Sequence, residues 1–182
     1  MARAKKSLGQ NFLVDPNIQR KIVEAVEPEA SDHVLEIGPG RGALTHHLAG
    51  LVGNLVAVEL DDALAAQLSR DFAGDSHVRI VHGDALELDV AAIADDPATL
   101  KIVGNIPYNI TTPLLFRMLN PRALPALIIV MIQKEVADRI LAPPAKRRTA
   151  HSPSVCAASR TSNGCSTSAV VPSDPCPMWN RR

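Results

Sequence analysis

The chain has 182 residues, 46% of them apolar, which is enough for one domain with an ordinary core. Its 19 Lys and Arg balance 19 Asp and Glu, so a nucleic-acid partner would have to be met by a local basic patch and not by the field of the whole molecule. No apolar run approaches membrane-spanning length, and the basic start "MARAKKSLGQNF" lacks the apolar stretch of a signal peptide, so no membrane association and a cytoplasmic location are expected.

Asp15 and Pro16 place a carboxylate at an N-cap and a ring in the first turn of a helix whose Ile18, Ile22, Val23 and Val26 share one face. "HVLEIG", His33 to Gly38, and "NLVAVEL", Asn54 to Leu60, are apolar runs of strand length. Between them, "ALTHHLAGL" has the length and spacing of a helix, which makes a strand–helix–strand unit. The pattern continues with helix "DALAAQLSRDF", strand "HVRIVHGD", then "ALELDVAAIA", which fits a helix or a loop. Strand "KIVGN", helix "TPLLFRML" and strand "PALIIVMIQ" follow. Such alternation predicts an α/β, Rossmann-like parallel sheet with helices on both faces.

"EIGPGRGAL" sets Gly38, Gly40 and Gly42 where the first strand turns into its helix, so that backbone amides can approach a ligand beyond the strand ends. Glu59, at the end of the second strand, is placed to accept hydrogen bonds from ribose hydroxyls, and Asp84 stands at the end of the third. Tight turns followed by solvated acids would give the same letters, but acids at successive strand ends line one crevice. A nicotinamide dehydrogenase spaces its glycines G-x-G-x-x-G, whereas this chain has G-x-G-x-G.

After the fourth strand comes "NIPYN", Asn105 to Asn109. A turn explains its amides and proline but not Tyr108, the one tyrosine of the chain. Methylation of an amine conjugated to a purine does explain it. The side-chain oxygen of Asn105 and the carbonyl of Ile106 could accept from the amine, Pro107 would fix their direction, and Tyr108 would stack on an extruded base. No strong general base is required, because the methylated cationic amine loses its proton readily.

With these motifs the chain closely resembles the KsgA-type rRNA adenine N6,N6-dimethyltransferases, S-adenosylmethionine enzymes of the class I methyltransferase fold. The likeness runs from "KKSLGQNFLVD" through "LEIGPGRGALT", "AVELD", "GDAL" and "NIPYNITTPLLF" to "MIQKEVADRI". It implies that Asn11 and Leu13 close over S-adenosyl-L-methionine, that Gly38, Gly40 and their loop meet its methionine part, that Glu59 holds the ribose and Asp84 the adenine amine. It places Asn105, with Ile106, Pro107 and Tyr108, beside the transferring methyl. The implied substrate is a pair of adjacent adenosines in the 3′-terminal hairpin loop of small-subunit rRNA, met in the immature small subunit by a monomer. A large-subunit relative of the antibiotic-resistance type and a non-catalytic nucleic-acid-binding relative are the alternatives.

Composition changes after "LAPP", Leu141 to Pro144. Beyond it Asp174 is the only acid, and Cys156, Cys165 and Cys176 appear among Ser, Arg and Pro, too irregularly spaced for a zinc site, so no metal is expected. Residues 1–144 are therefore expected to form an incomplete methyltransferase domain, lacking the last strands and exposing a sheet edge. Residues 145–182 are expected to be a disordered tail. The family motifs reappear in a shifted frame. With suitable codons, "RTAHSPSV", Arg148 to Val155, read two bases on, gives YGALSVG, and "SNGCSTSAVVPSDP", Ser162 to Pro175, gives ERLFNVGRSAFRP. A frameshift near Pro144, with impaired activity of this form, is the expectation.

Overall fold

The computed structural model describes residues 12–106, 110–119, 125–141, 153–161 and 164–170. Helix α1, Pro16–Val26, begins as expected: Asp15 accepts from the Asn17 N–H at 2.8 Å, and Pro16 stands in the first turn. Ile22 and Val26 are its buried residues, and it ends at Glu27, which takes a left-handed φ of 46°. Strand β1, His33–Ile37, leads through the glycine loop into α2, Thr45–Leu48, a much shorter helix than "ALTHHLAGL" suggests. The residues on either side of it, Ala43 and Leu44 before and Ala49 to Leu51 after, are turns.

Strand β2, Asn54–Glu59, is followed by α3, Asp62–Asp71, where the Asp61 carboxylate caps the N–H groups of Ala63 and Leu64. Strand β3, Val78–His82, comes next; "ALELDVAAIA" then resolves into loop with a short 3-10 turn at Val90–Ala92, and a second turn follows at Pro97–Thr99. Strand β4, Leu100–Asn105, helix α4, Thr111–Met118, and strand β5, Leu127–Gln133, agree with expectation. Helix α5, Lys134–Leu141, adds to it.

The strands lie in the order β3-β2-β1-β4-β5, all parallel. Successive residues belong to opposite faces. Leu35, Ile102 and Ile128 pack with Leu114 and Met118 of α4, while Val34, Val103 and Ile129 pack with Ile22 and Val26 of α1 and Leu48 of α2. Helices thus cover both faces, and no described helix is long and apolar enough to cross a membrane. Chain order reverses between β1 and β4, so a crevice opens there at the carboxyl ends of the strands. At the other end Lys101 pairs with Asp32 at 2.7 Å and donates to the Glu27 carbonyl, clamping β4 to the loop after α1.

Beyond α5 the structure departs from the expected open edge and disordered tail. Strand β6, Pro153–Thr161, pairs antiparallel with β5, from Leu127↔Ser159 to Gln133↔Pro153, and β7, Gly164–Val170, pairs antiparallel with β6. The edge of β5 offers a row of N–H and C=O groups that any extended backbone can satisfy, so strand addition needs no apolar periodicity in the added segment. The rest of the chain beyond α5, residues 142–152, 162–163 and 171–182, lies outside the described residues.

Candidate functional site

The crevice at the β1–β4 reversal is a cleft whose wall is built from four stretches: Phe12 to Val14 before α1, Glu36 to Leu44 around the glycine loop, Glu59, and Asn105 with Ile106. Of the residues expected at the site, it brings together Leu13, Gly38, Gly40, Glu59, Asn105 and Ile106. Asn11, Pro107 and Tyr108 lie outside the described residues. Asp84 follows β3, one strand beyond Glu59, where its Oδ1 accepts from the Leu86 N–H at 2.8 Å.

The glycine loop takes its shape from three left-handed residues, Gly38, Gly40 and Gly42, at φ 67°, 60° and 79°. Side chains rarely adopt that region. Gly38 is also short of room, because a Cβ there would lie 3.3 Å from the backbone oxygen of Asn105, so the loop and the end of β4 are in near contact across the cleft floor. Gly104 holds that floor together. A Cβ on it would lie 2.6 Å from the Ile37 carbonyl oxygen, in the register pair Ile37↔Gly104.

Glu59 is 5% exposed, and both of its oxygens are used: Oε2 accepts from the Gly40 N–H at 2.9 Å and Oε1 from the Asp61 N–H at 2.9 Å. These bonds aim the carboxylate toward the glycine loop and leave further lone pairs on each oxygen. A second acid shares the wall. Glu36, 2% exposed, accepts from the Thr45 hydroxyl at 2.7 Å. Burial pushes its carboxyl up to about 7, the Thr45 hydrogen bond opposing and the neighbouring Glu59 adding to the rise. At the rim the Arg41 guanidinium stands 4.5 Å from the centroid of the Phe12 ring.

The sequence reading assigned no role to Glu36, Phe12 or Arg41. The signal for Glu36 was present, since an acid inside the apolar run "HVLEIG" has to be satisfied by a partner. Nothing local announces the Phe12–Arg41 stack, because it joins two loops far apart in the chain.

A chain of this architecture has known relatives. The model of the ribosomal RNA adenine dimethylase family matches residues 1–159. The ribosomal RNA small subunit methyltransferase A of Geobacter sulfurreducens is 47% identical over 147 residues, 80% of this chain and 53% of that protein. That of Moorella thermoacetica is 48% identical over 148 residues, 77% of this chain and 51% of that protein. Among solved structures, a dimethyladenosine transferase from Plasmodium falciparum superposes with a TM-score of 0.64 at 32% identity, over 72% of this chain and 46% of that one. The 23S rRNA methyltransferase ErmE gives 0.62 at 30%, over 70% of this chain and 50% of that one. The chain spans about half the length of the curated relatives it matches. Sheet order, glycine loop and strand-end acids together make this a class I, Rossmann-like methyltransferase fold, and with the match over residues 1–159 they assign the chain to the ribosomal RNA adenine dimethylase family.

Proposed function

We propose that the chain binds S-adenosylmethionine in the cleft at the ends of β1, β2 and β4 and directs methyl transfer to the exocyclic amine of adenine in ribosomal RNA. The observation that carries this reading is the near contact between Gly38 and Asn105, which brings the start of the NIPYN segment to the glycine loop. The lining fits the cofactor in two respects. Buried carboxylates at Glu36 and Glu59 suit a ligand with cationic sulfonium and ammonium groups. The left-handed glycines carry no side chains, so a ligand can come close to the loop backbone, while their own N–H groups are held by Val58, Glu59 and Pro39.

When bound, the cofactor supplies an electrophilic methyl group. The protein's part is to hold and orient. Glu59 accepts from the ribose hydroxyls, Asp84 from the adenine amine of the cofactor, and Asn11 and Leu13 close the cleft. The side-chain oxygen of Asn105 and the carbonyl of Ile106 accept the N–H groups of the target amine, Pro107 fixes their direction, and Tyr108 stacks on the base. Ile106, just past the end of β4, is 2% exposed and donates its N–H to the Met131 carbonyl at 3.2 Å, which anchors one of these acceptors.

The substrate in this reading is a pair of adjacent adenosines in the 3′-terminal hairpin loop of small-subunit rRNA, each dimethylated by a monomer acting on the immature subunit in the cytoplasm, with no metal. Identity of 47% to a small-subunit methyltransferase A is the observation that favours this substrate. The test is transfer of labelled methyl groups by the frame-restored protein to a mixture of small and large subunits lacking the modification, followed by mapping of the modified nucleotides. Label on large-subunit RNA alone would overturn the substrate assignment. Absence of S-adenosylmethionine binding would overturn the whole reading.

A further inference from the structure

Phe12 and Arg41 belong to segments that the sequence separates and the fold stacks. The Phe12 ring touches two consecutive residues of the glycine loop. Its face receives the Arg41 guanidinium at 4.5 Å, and its Cδ1 and Cε1 lie 3.2 and 3.4 Å from where a Cβ on Gly40 would sit. Gly40 is the residue whose N–H donates to Glu59. The segment carrying the ring is itself fixed, since the Leu13 carbonyl accepts from the Gln19 amide of α1 at 3.1 Å.

We propose that Phe12 and Arg41 form a positioning pair that presses Gly40 onto the Glu59 carboxylate and thereby sets the affinity of the cleft for its cofactor. The proposal rests on the functional reading above. Glycine at φ 60° has wide conformational freedom, and one hydrogen bond to Glu59 is a weak restraint on it. An aromatic plate packed against the missing side chain removes that freedom. The planar guanidinium of the next residue fastens the plate in turn, a contact at which lysine would be a poorer partner. The pair therefore connects the stretch before α1, the glycine loop and the acid at the end of β2.

The test uses the 182-residue chain and S-adenosylhomocysteine in calorimetry, with Phe12→Leu, Arg41→Gln, the double variant and Phe12→Trp. Each of the first two should weaken binding about two- to tenfold, the double variant should be no weaker than the worse single, and Phe12→Trp should bind as wild type or tighter. Losses that multiply in the double variant, or a Trp variant as weak as the Leu variant, would overturn the pair. Hydrogen exchange on the ligand-free chain separates this from the functional reading. The Gly40 amide should exchange several-fold faster in Phe12→Leu and in Arg41→Gln alike, whether or not the wild type binds ligand. Unchanged exchange overturns the pair, whereas a wild type that binds no S-adenosylhomocysteine counts against the functional reading alone.

Discussion

The backbone N–H of Gly40 donates to the Glu59 carboxylate at 2.9 Å, so the glycine loop after β1 is tied to the acid that ends β2. Glu59→Ala should therefore act twice. Loss of a charged acceptor for the ribose is expected to weaken S-adenosylmethionine binding about ten- to a hundredfold. Release of the Gly40 and Asp61 amides should also destabilise the fold by roughly 1–3 kcal/mol. Calorimetry and urea unfolding of the same variant measure the two effects. Unchanged affinity would remove Glu59 from the cofactor site.

Glu36 supplies a pH dependence of stability. Its carboxyl is raised from the ordinary 4.5 to about 7 by burial, so between those values the folded chain holds more protons than the unfolded one. The contribution is fully present below the unfolded value, is lost as pH rises through the folded value, and is level above it. Its total is on the order of 3 kcal/mol. Glu36→Gln keeps an acceptor for the Thr45 hydroxyl and removes the ionisation, so the variant should gain up to about that amount over wild type at pH 8 and little at pH 4.5. Urea midpoints for both proteins that move in parallel across this window would exclude Glu36 as the titrating group.

These two acids differ in how far the sequence announced them. Glu59 was legible because it stands at a strand end, a fixed distance beyond a glycine loop, and such spacing survives without knowledge of tertiary contacts. Glu36 pairs with Thr45, nine residues away across a loop whose path depends on three left-handed glycines, and that path follows from the fold. The same contrast holds for the elements. The cap at Asp15 and the apolar runs of β1, β2, β4 and β5 are local signals and were read correctly. The brevity of α2 and the added strands β6 and β7 were not, because the turns on either side of the first leave no periodic mark and backbone pairing alone recruits the others.

Gly104→Ala probes the floor of the cleft. The added Cβ would lie 2.6 Å from the Ile37 carbonyl oxygen, a backbone atom within a register pair, so β1 and β4 would have to separate. A cost of about 1–3 kcal/mol is expected, with a fall in Tm of several degrees. Thermal unfolding equal to wild type would mean that the two strands yield more easily than their pairing suggests.

Asn105 and Tyr108 separate chemistry from binding. In the frame-restored protein, Asn105→Ala should lower turnover far more than cofactor affinity, because its acceptor role is exerted on the target amine. Tyr108→Ala should cost about 1–3 kcal/mol of base stacking, and Tyr108→Phe much less. Single-turnover rates alongside cofactor affinities provide the measurement. Equal losses for Ala and Phe at position 108 would assign the role to the hydroxyl and not to the ring.

The last prediction concerns residues 145–182, which we propose are read out of frame. Their cysteines, their single acid and the two family motifs recovered in one shifted frame have a common explanation in a change of frame near Pro144. The strands β6 and β7 are compatible with it, because the edge of β5 accepts any extended backbone, including one of unrelated sequence. What such strands cannot supply is a surface chosen for RNA. Resequencing the gene across the codons for Pro144 to Arg148 should reveal an inserted or missing base relative to the frame of its relatives. The frame-restored protein should methylate unmodified small subunits, while this 182-residue form should show little transfer even where it binds S-adenosylmethionine. An unaltered reading frame, or full activity from the chain as it stands, would show that the tail belongs to the working enzyme.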